Sequence, residues 1–389
     1  MVDEVVIMSA VRTPIGKFGR SFQAVSAVTL GTIAAQAAIQ RSGLTPEQIQ
    51  QTIFGTVVQA GLGQNVARQV ELHAGIPATS TAMTVNQVCG SSLKAIRLGQ
   101  AAILMGDADA VLVGGTESMS QAPYLSAQTR WGHKLGDVSL TDSLSHDGLT
   151  DAFHHYPMGI TAENVAARYH VSRADQDAFA LASQHKAAQA QAANRFADEI
   201  VPVTVGDTVV AHDESVRSTT SLAKLAALPL AFQENGTVTA GNAAPLNDGA
   251  AAMVLMRKSA AEAAHLPYLA TLTGFREVGI DPALMGYAPK LAIEQLLDQQ
   301  HLAVADLDRI ELNEAFAAQS VAVARDLALP ADRLNVNGGA IALGHPLGAS
   351  GTRIVVTLLY ELLHADKQRG LAAMCIGGGM GMALTLERS

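Results

Sequence analysis

The sequence predicts an α/β protein built from two similar halves, with a further segment inserted between them. Short apolar runs rich in β-branched residues alternate with longer runs rich in Ala, Leu and Gln, which is typical of strands alternating with helices. Two distant segments repeat the same order of features, and a stretch of different composition separates the halves. These observations indicate a repeated α/β unit that carries an insertion.

Five apolar runs are predicted as strands and four longer runs as helices. The strand candidates are residues 5–8, 110–113, 251–256, 268–272 and 371–376. The helix candidates are residues 30–42, 91–105, 173–195 and 352–363. Beyond the first turn of the helix at 91–105, only Lys94, Arg97 and Gln100 interrupt the apolar surface. We therefore expect that helix to be buried on most sides.

The internal repeat begins at Val85 and again at Val336. Each copy has a Val-Asn start, a Gly-containing turn with a reactive side chain, a long apolar helix, and an apolar strand that ends in Gly-Gly. Any two strand–helix–strand units share some of this pattern. As a whole, the repeat predicts two similar halves of one fold.

Residues 119–247 differ in composition from the rest of the chain, because they are rich in His, Asp, Gln, Ser and Thr. We expect them to form a loop domain that acts as a lid or a binding subdomain. The predicted N-terminal half then consists of residues 1–118 plus 248–268, and the predicted C-terminal half of residues 269–389.

Composition excludes several classes of protein. Of 389 residues, 49% are apolar and 16% are charged, which excludes a disordered chain. Two Cys exclude a disulfide scaffold and a Cys-rich zinc module, and we expect no metal site. The net charge of −9 argues against nucleic acid as a partner. Because neither a signal peptide nor a membrane span is recognisable, we expect a cytoplasmic protein with reduced thiols and no membrane partner.

Cys89 is the first candidate for chemistry. It lies immediately before a strong helix, and Gly90 permits the tight turn that would expose its sulfur. The positive end of a helix dipole lowers the pKa of a thiol, so we expect Cys89 to ionise readily. The alternative is that Cys89 is a small buried apolar residue, as most free cysteines are.

Cys375 and His345 are the other two candidates. Cys375 ends an apolar strand just before a loop with four Gly, where a backbone approaches a ligand closely; a core residue is the alternative. Five Gly surround His345, and Pro346 keeps it out of helical geometry, so this imidazole could accept a proton from a thiol. The alternative for His345 is a hydrogen-bonding loop residue.

Two further patterns are weaker signals of a functional site. Asn313 follows a strand-like run and opens a helix, which is an ordinary N-cap pattern when taken alone. Gly61 and Gly63 resemble part of a dinucleotide fingerprint but lack its third Gly, so a nicotinamide site is not expected.

Taken together, these motifs resemble the thiolase family over essentially the whole chain, and its biosynthetic acetoacetyl-CoA branch in particular. The motifs are VRTPIG at 11–16, NQVCGSS at 86–92, GGTESM at 114–119, MGITAEN at 158–164, NEAFA at 313–317, GGAIALGHPLGASG at 338–351 and CIGGGMG at 375–381. The resemblance implies a thiolase-like fold, in which the two α/β halves form a layered α/β/α/β/α core below the loop domain. It also implies a homotetramer.

The resemblance implies an acyltransferase that reversibly condenses two acetyl-CoA to acetoacetyl-CoA and CoA, with no cofactor of its own. Cys89 would carry the acetyl group, His345 would accept its proton, and Cys375 would deprotonate the second acetyl-CoA. Asn313 would hold a water beside the enolate, and the N–H groups of Cys89 and Gly377 would bind the tetrahedral intermediate.

The resemblance also implies contacts with CoA, at Arg217, Leu149, Met158, Ala240, Ala244, Ala315 and Phe316. The chain departs from the family pattern at Pro157, where a His is usual, and at Ala244-Pro245, where Ser-Gly is usual. Loss of these hydrogen-bonding groups predicts weaker CoA binding with an intact catalytic centre.

Three other functions are alternatives to this one. A degradative 3-ketoacyl-CoA thiolase of broader chain length would share the same residues. A decarboxylating ketoacyl synthase has a similar fold but pairs its Cys with two His, or with His and Asn, and lacks a second catalytic Cys. A non-catalytic acyl-CoA carrier would not need both cysteines and His345.

Overall fold

The computed structural model describes residues 3–388 and shows a mixed α/β protein. The strands are β1 (Val5–Arg12), β2 (Gly16–Lys17), β3 (Gln51–Gly55), β4 (Thr81–Val85), β5 (Ala110–Ser118), β6 (Tyr124–Leu125), β7 (Thr141–Asp142), β8 (Val203–Val205), β9 (Thr208–Val210), β10 (Asn247–Arg257), β11 (Ala270–Gly279), β12 (Arg309–Leu312), β13 (Arg369–Ile376) and β14 (Met380–Arg388). The helices are α1 (Ala27–Ser42), α2 (Val66–His73), α3 (Ser91–Met105), α4 (Met158–Arg168), α5 (Arg173–Ala192), α6 (Leu222–Ala226), α7 (Lys258–Ala263), α8 (Ala288–Gln300), α9 (Ala317–Asp326), α10 (Ala340–Leu343) and α11 (Ser350–His364).

The predicted repeat is confirmed in the topology of the large sheet, whose order is β12-β13-β14-β11-β1-β10-β5-β3-β4. In the N-terminal half, β3 runs parallel to β4 and β5, while β10 is antiparallel to β5 and β1. In the C-terminal half, β12 runs parallel to β13, while β14 is antiparallel to β13 and β11. Strands β1 and β11 pair at two positions only, Val6 with Thr271 and Ile7 with Ala270, and so join the halves.

The side chains of the inner strands alternate between two cores, which gives the predicted five layers. On β5, Val111 and Val113 face a core shared with α3 and α11, whereas Ala110 and Leu112 face α1 and α2. On β13, Met374 belongs to the same shared core, and its neighbours on the opposite face of the strand pack with α8 and α9. The layers are therefore helices, sheet, the central pair α3 and α11, sheet, and helices.

Local capping explains where several helices begin and end. The Ser26 hydroxyl accepts a hydrogen bond from the Thr29 N–H (3.0 Å) at the start of α1, and Gly43 ends that helix at φ +75°. Helix α3 has the predicted bounds. Helix α5 stops three residues before its predicted end, because Asn194 turns the chain at φ +54°.

The inserted segment leaves the sheet after β5 and returns at β10. It contains the two small β-ladders β6–β7 and β8–β9 and the helices α4, α5 and α6. The exact division of the chain at residues 118, 248 and 269 stays a prediction. Within residues 3–388, no helix has both the length and the apolar character needed to cross a bilayer.

Candidate active site

Cys89 lies in a strained turn between β4 and α3. The preceding residue, Val88, has φ +45°, which is rare for a β-branched side chain. Two side chains hold this conformation: Asn86 Oδ1 accepts from the Val88 N–H (3.0 Å), and the Ser91 hydroxyl donates to the Val88 carbonyl (2.6 Å). At Gly90 a Cβ would lie 2.4 Å from Ile376 Cδ1, so the turn packs directly against the end of β13.

The electrostatics of Cys89 differ from the sequence expectation. The side chain is only 8% exposed, and burial raises the pKa of the thiol to about 11. The N–H groups of Gly377 and of Cys89 itself favour the thiolate and lower its pKa, but they do not offset burial. The expectation that the helix terminus lowers the pKa below its usual value is therefore wrong.

The two central helices, α3 and α11, begin side by side. This contact brings the candidate residues of the two halves together. The Thr352 N–H of α11 donates to the Ser92 hydroxyl of α3 (2.9 Å). A Cβ on Gly351 would lie 2.4 Å from the Leu93 nitrogen, so only a Gly permits this approach. Because Cys89 and His345 precede these two helix starts, the contact places them at one pocket.

His345 is held by main-chain and side-chain hydrogen bonds. Asn247 Oδ1 accepts from its N–H (3.1 Å), and Nδ1 lies 2.6 Å from the Ser350 hydroxyl. Nε2 is buried and has no partner among the described residues. Burial, and then the positive charge of Arg353, lowers the pKa of the imidazole to about 3, so His345 is neutral at physiological pH.

The loop that carries His345 rests on the other half of the molecule. The Gly348 N–H donates to Glu117 Oε2 (2.8 Å), and the same carboxylate accepts from the N–H groups of Val57 and Val58 (3.0 and 3.1 Å). A Cβ on Gly348 would lie 2.6 Å from the Cα of Thr56. The buried Glu117 carboxylate therefore fixes a C-terminal loop against the N-terminal sheet.

Cys375 is fully buried at the end of β13 and packs against Met285 and Ala315. Burial raises the pKa of its thiol far above the usual value, and a charge on Cys89 would raise it further. Both cysteines are free thiols. The chain turns sharply just beyond, with Gly378 and Gly379 at φ +86° and +82°.

Asn313 follows β12, where its N–H donates to the Ala373 carbonyl (2.9 Å). Its carboxamide is buried, and neither its oxygen nor its nitrogen has a partner within residues 3–388. An unpaired buried polar group costs about 1–3 kcal/mol. Asn313 and His345 Nε2 are therefore groups that a bound molecule can pair.

A pocket with about 480 Å³ of empty space opens at Cys89 and His345. Its wall includes five of the predicted CoA contacts: Leu149, Met158, Ala244, Ala315 and Phe316. Cys375 lies behind this wall, in contact with Ala315. The sequence reasoning assigned no role to five lining residues: Met119, Gly148, Leu246, Met285 and Leu347. Met119 and Leu347 lie within the motifs at 114–119 and 338–351, which could have pointed to them.

Two predicted contacts lie elsewhere. Arg217 is exposed and lines a separate surface cleft with Ser218, Thr219, Thr220 and Lys224. Ala240 is exposed and lines neither of these two cavities. Of the departures from the family pattern, Pro157 is exposed, whereas Ala244 and Pro245 line the pocket itself. In residues 3–388, no cluster of three or more His, Cys, Asp or Glu could hold a metal ion.

Paired α/β halves with two buried thiols and a neutral imidazole at their junction define a class of thiol-dependent transferases. The family models "Thiolase, N-terminal domain" and "Thiolase, C-terminal domain" match residues 5–259 and 266–388. The chain belongs to the thiolase family.

Similar proteins cover the full chain. An acetyl-CoA acetyltransferase of Cupriavidus necator is 49% identical over 99% of both chains, and one of Pseudomonas aeruginosa is 49% identical over 100% of both. The crystal structure of the Bacillus anthracis acetyl-CoA acetyltransferase is 40% identical, with a TM-score of 0.97 over 100% of this chain and 99% of that one. Human mitochondrial 3-ketoacyl-CoA thiolase in complex with CoA is also 40% identical, with a TM-score of 0.97 over 100% and 98%.

Proposed function

We propose that the protein reversibly condenses two acetyl-CoA to acetoacetyl-CoA and CoA through an acetyl-Cys89 intermediate. One observation carries the proposal: a free, buried thiol, Cys89, lines one pocket together with a neutral imidazole whose Nε2 has no partner within the described residues, and a second free thiol, Cys375, packs directly behind the pocket wall. The full-length relatives named acetyl-CoA acetyltransferase support the same reaction.

In the first half-reaction, Cys89 Sγ attacks the acetyl carbonyl carbon while its proton moves to His345 Nε2. With the pKa of the thiol near 11 and that of the imidazole near 3, an ion pair does not form beforehand, so the proton leaves as the S–C bond forms. The N–H groups of Cys89 and Gly377 then face the oxyanion. The CoA thiolate departs with the proton of Cys375.

In the second half-reaction, the Cys375 thiolate removes a proton from C2 of another acetyl-CoA. The enolate oxygen pairs with protonated His345 and with a water held by Asn313, the two groups that lack protein partners within residues 3–388. The carbanion attacks the acetyl carbon and the bond to Cys89 breaks. The Cys89 thiolate recovers its proton from His345, so every proton is returned and no bound cofactor takes part.

The direct test is mass spectrometry of the protein after incubation with acetyl-CoA. We expect one acetyl group on Cys89 and a burst of CoA release, both absent in Cys89→Ser. A Cys89→Ser variant that still gives the burst would contradict the assignment. Chain-length assays test the substrate: thiolysis of a long-chain 3-ketoacyl-CoA at a rate comparable to that of acetoacetyl-CoA would favour the degradative alternative.

We also propose that the surface cleft at Arg217 binds the anionic nucleotide end of CoA. Arg217 and Lys224 supply positive charge there, and the protein as a whole carries −9. We also propose Ala240, which is exposed, as a contact of CoA. If the proposal holds, Arg217→Ala raises the KM for acetyl-CoA and leaves kcat nearly unchanged.

Finally, we propose a homotetramer in the cytoplasm. The arm between β6 and β7 exposes Trp131 (91%) and Leu135 (93%), and large exposed apolar side chains favour contact with another chain. Sedimentation of a Trp131→Ser/Leu135→Ser variant tests the assembly. Chemistry that needs two free thiols suits a reducing compartment, and cell fractionation tests the location.

A further inference from the structure

Ser350, the first residue of α11, is the protein's hydrogen-bond partner for His345 Nδ1. Its hydroxyl oxygen lies 2.6 Å from Nδ1 and 3.0 Å from the carbonyl oxygen of Pro346. The same carbonyl accepts from the main-chain N–H groups of Ala349 and Ser350 (2.9 and 3.0 Å), so the turn is firmly placed. All these groups are buried, which shields them from exchange with bulk water.

The hydroxyl has one hydrogen, and its direction decides the tautomer of the imidazole. When that hydrogen points to the Pro346 carbonyl, the oxygen of Ser350 accepts from Nδ1–H. Nε2 then carries a lone pair and faces the pocket that Cys89 lines. When the hydrogen points to Nδ1 instead, the ring proton sits on Nε2, and Nε2 has no lone pair with which to accept the proton of Cys89.

We infer that Ser350 is a positioning residue that keeps the Nδ1–H tautomer of His345, so that Nε2 alone gains and loses a proton during the reaction. The inference rests on the proposed function. In the imidazolium, Nδ1–H donates to the same oxygen, so Ser350 needs no rearrangement between the neutral and the charged ring. The Pro346 carbonyl receives the hydroxyl hydrogen in both states.

Removal of the hydroxyl has a defined consequence. In Ser350→Ala, Nδ1 has no acceptor, the ring populates both tautomers, and the imidazolium loses one of its hydrogen bonds. We expect the rate constant of the CoA burst to fall about 10- to 100-fold, the range found when a metal-ligating His loses the hydrogen-bond partner of its second ring nitrogen. The KM for acetyl-CoA changes less than about 2-fold, because Ser350 does not line the pocket.

Two further variants separate this effect from packing. Ser350→Thr keeps the hydroxyl and recovers the burst rate to within about 5-fold of the native value. Thr357→Val is the matched control, since it removes a buried hydroxyl of the same helix that bonds to Glu199 (3.3 Å). It leaves the burst rate unchanged while its melting temperature falls about as much as that of Ser350→Ala. Equal rate losses in Ser350→Ala and Thr357→Val, or a Ser350→Thr variant as slow as Ser350→Ala, would overturn the inference.

Nitrogen NMR of the native protein labelled at histidine provides a test that needs no Ser350 variant. Comparison with His345→Asn identifies the signals of His345, and we expect a protonated Nδ1 and an unprotonated Nε2 at pH 7 without substrate. A proton on Nε2, or a native burst rate in Ser350→Ala, would overturn the inference. A native protein that forms no acetyl-enzyme would instead overturn the proposed function, so the two failures are distinguishable.

Discussion

The two halves of the molecule share a topology but differ in the turn that leads into their central helix. In the N-terminal half, five residues link β4 to α3, and the strained turn at Val88 holds Cys89 against that helix. In the C-terminal half, the corresponding connection is a long Gly-rich loop that contains α10 and His345. Its Gly348 is bonded to Glu117 of the other half.

The difference indicates how a duplicated fold acquires an asymmetric site. The short turn holds Cys89, the proposed nucleophile, in a fixed position, whereas the long loop reaches across and brings in His345, the proposed base. The second thiol, Cys375, comes from the strand after the long loop and packs behind the pocket wall. Each half thus contributes a thiol, but only one contributes an imidazole to the pocket.

The largest expected effect comes from the second thiol. If Cys89 carries the acetyl group and Cys375 acts only as the base, Cys375→Ser still forms acetyl-Cys89. It loses the base that deprotonates C2 of acetyl-CoA, so turnover falls about 10²- to 10⁴-fold. Intact-mass measurement together with steady-state condensation would show acetyl-enzyme without product. The reference is Cys89→Ser, which should show neither; a Cys375→Ser variant that cannot be acetylated would refute the division.

The contact between the halves is tested at Gly348. A Cβ there would overlap the main chain near Thr56, so Gly348→Ala should destabilise the fold by about 1–3 kcal/mol and displace the loop of His345. Thermal unfolding and the CoA burst report the two effects. Gly279→Ala is the control, because its Cβ would meet only one atom, at 3.9 Å, and a loss of stability equal to that of Gly348→Ala would argue against the contact.

A smaller effect is expected at Ala244, where the inserted segment meets the C-terminal half at the pocket. Its N–H donates to the Ala315 carbonyl (3.0 Å), and its side chain lines the pocket. A hydroxyl at this position adds a hydrogen bond to the substrate of about 0.5–1.5 kcal/mol. Ala244→Ser should therefore lower the KM for acetyl-CoA about 2- to 10-fold, and an unchanged KM would contradict the expectation of weakened CoA binding.

The smallest effect is expected when the pH is lowered from 7 to 5. A His whose pKa is lowered to about 3 stays neutral as the pH falls from 7 to 5, so the base for Cys89 remains available. The burst rate constant should change little over this range. Rapid-quench measurements at pH 5, 6 and 7 test this, and a decline centred near pH 6.5 would show that the imidazole titrates normally.

Local signals in the sequence predicted strands alternating with helices in two similar halves, whereas the layered arrangement followed from the resemblance to the thiolase family. Short apolar β-branched runs located strands and longer runs rich in Ala, Leu and Gln located helices, and capping residues such as Ser26 and Gly43 mark the ends of a helix that was predicted within three residues. The Gly-rich surroundings of Cys89, His345 and Cys375 identified these three residues as candidates. Their catalytic roles, and those of Asn313 and Gly377, remain predictions.

Contacts between residues far apart in the chain could not be predicted from local sequence patterns. The bond between Glu117 and Gly348 joins distant parts of the chain, and neither residue signals the other. The shift in the Cys89 pKa has the opposite sign to that expected, because burial outweighs the N–H groups that favour the thiolate. The role that we assign to Ser350 depends on interatomic distances known to a few tenths of an ångström, which a sequence does not give. Its position five residues after His345 was visible in the sequence.

The hydrogen bond between Gly348 and Glu117 also bears on the order in which the ribosome makes the parts of the site. A ribosome completes Cys89 well before it completes the loop that carries His345, so the nascent N-terminal half bears the thiol without its proposed base. The thiol meets its imidazole only when that loop docks onto Glu117 and its neighbours. Under the proposed function, acetylation of Cys89 therefore needs the C-terminal part of the chain as well as the N-terminal part.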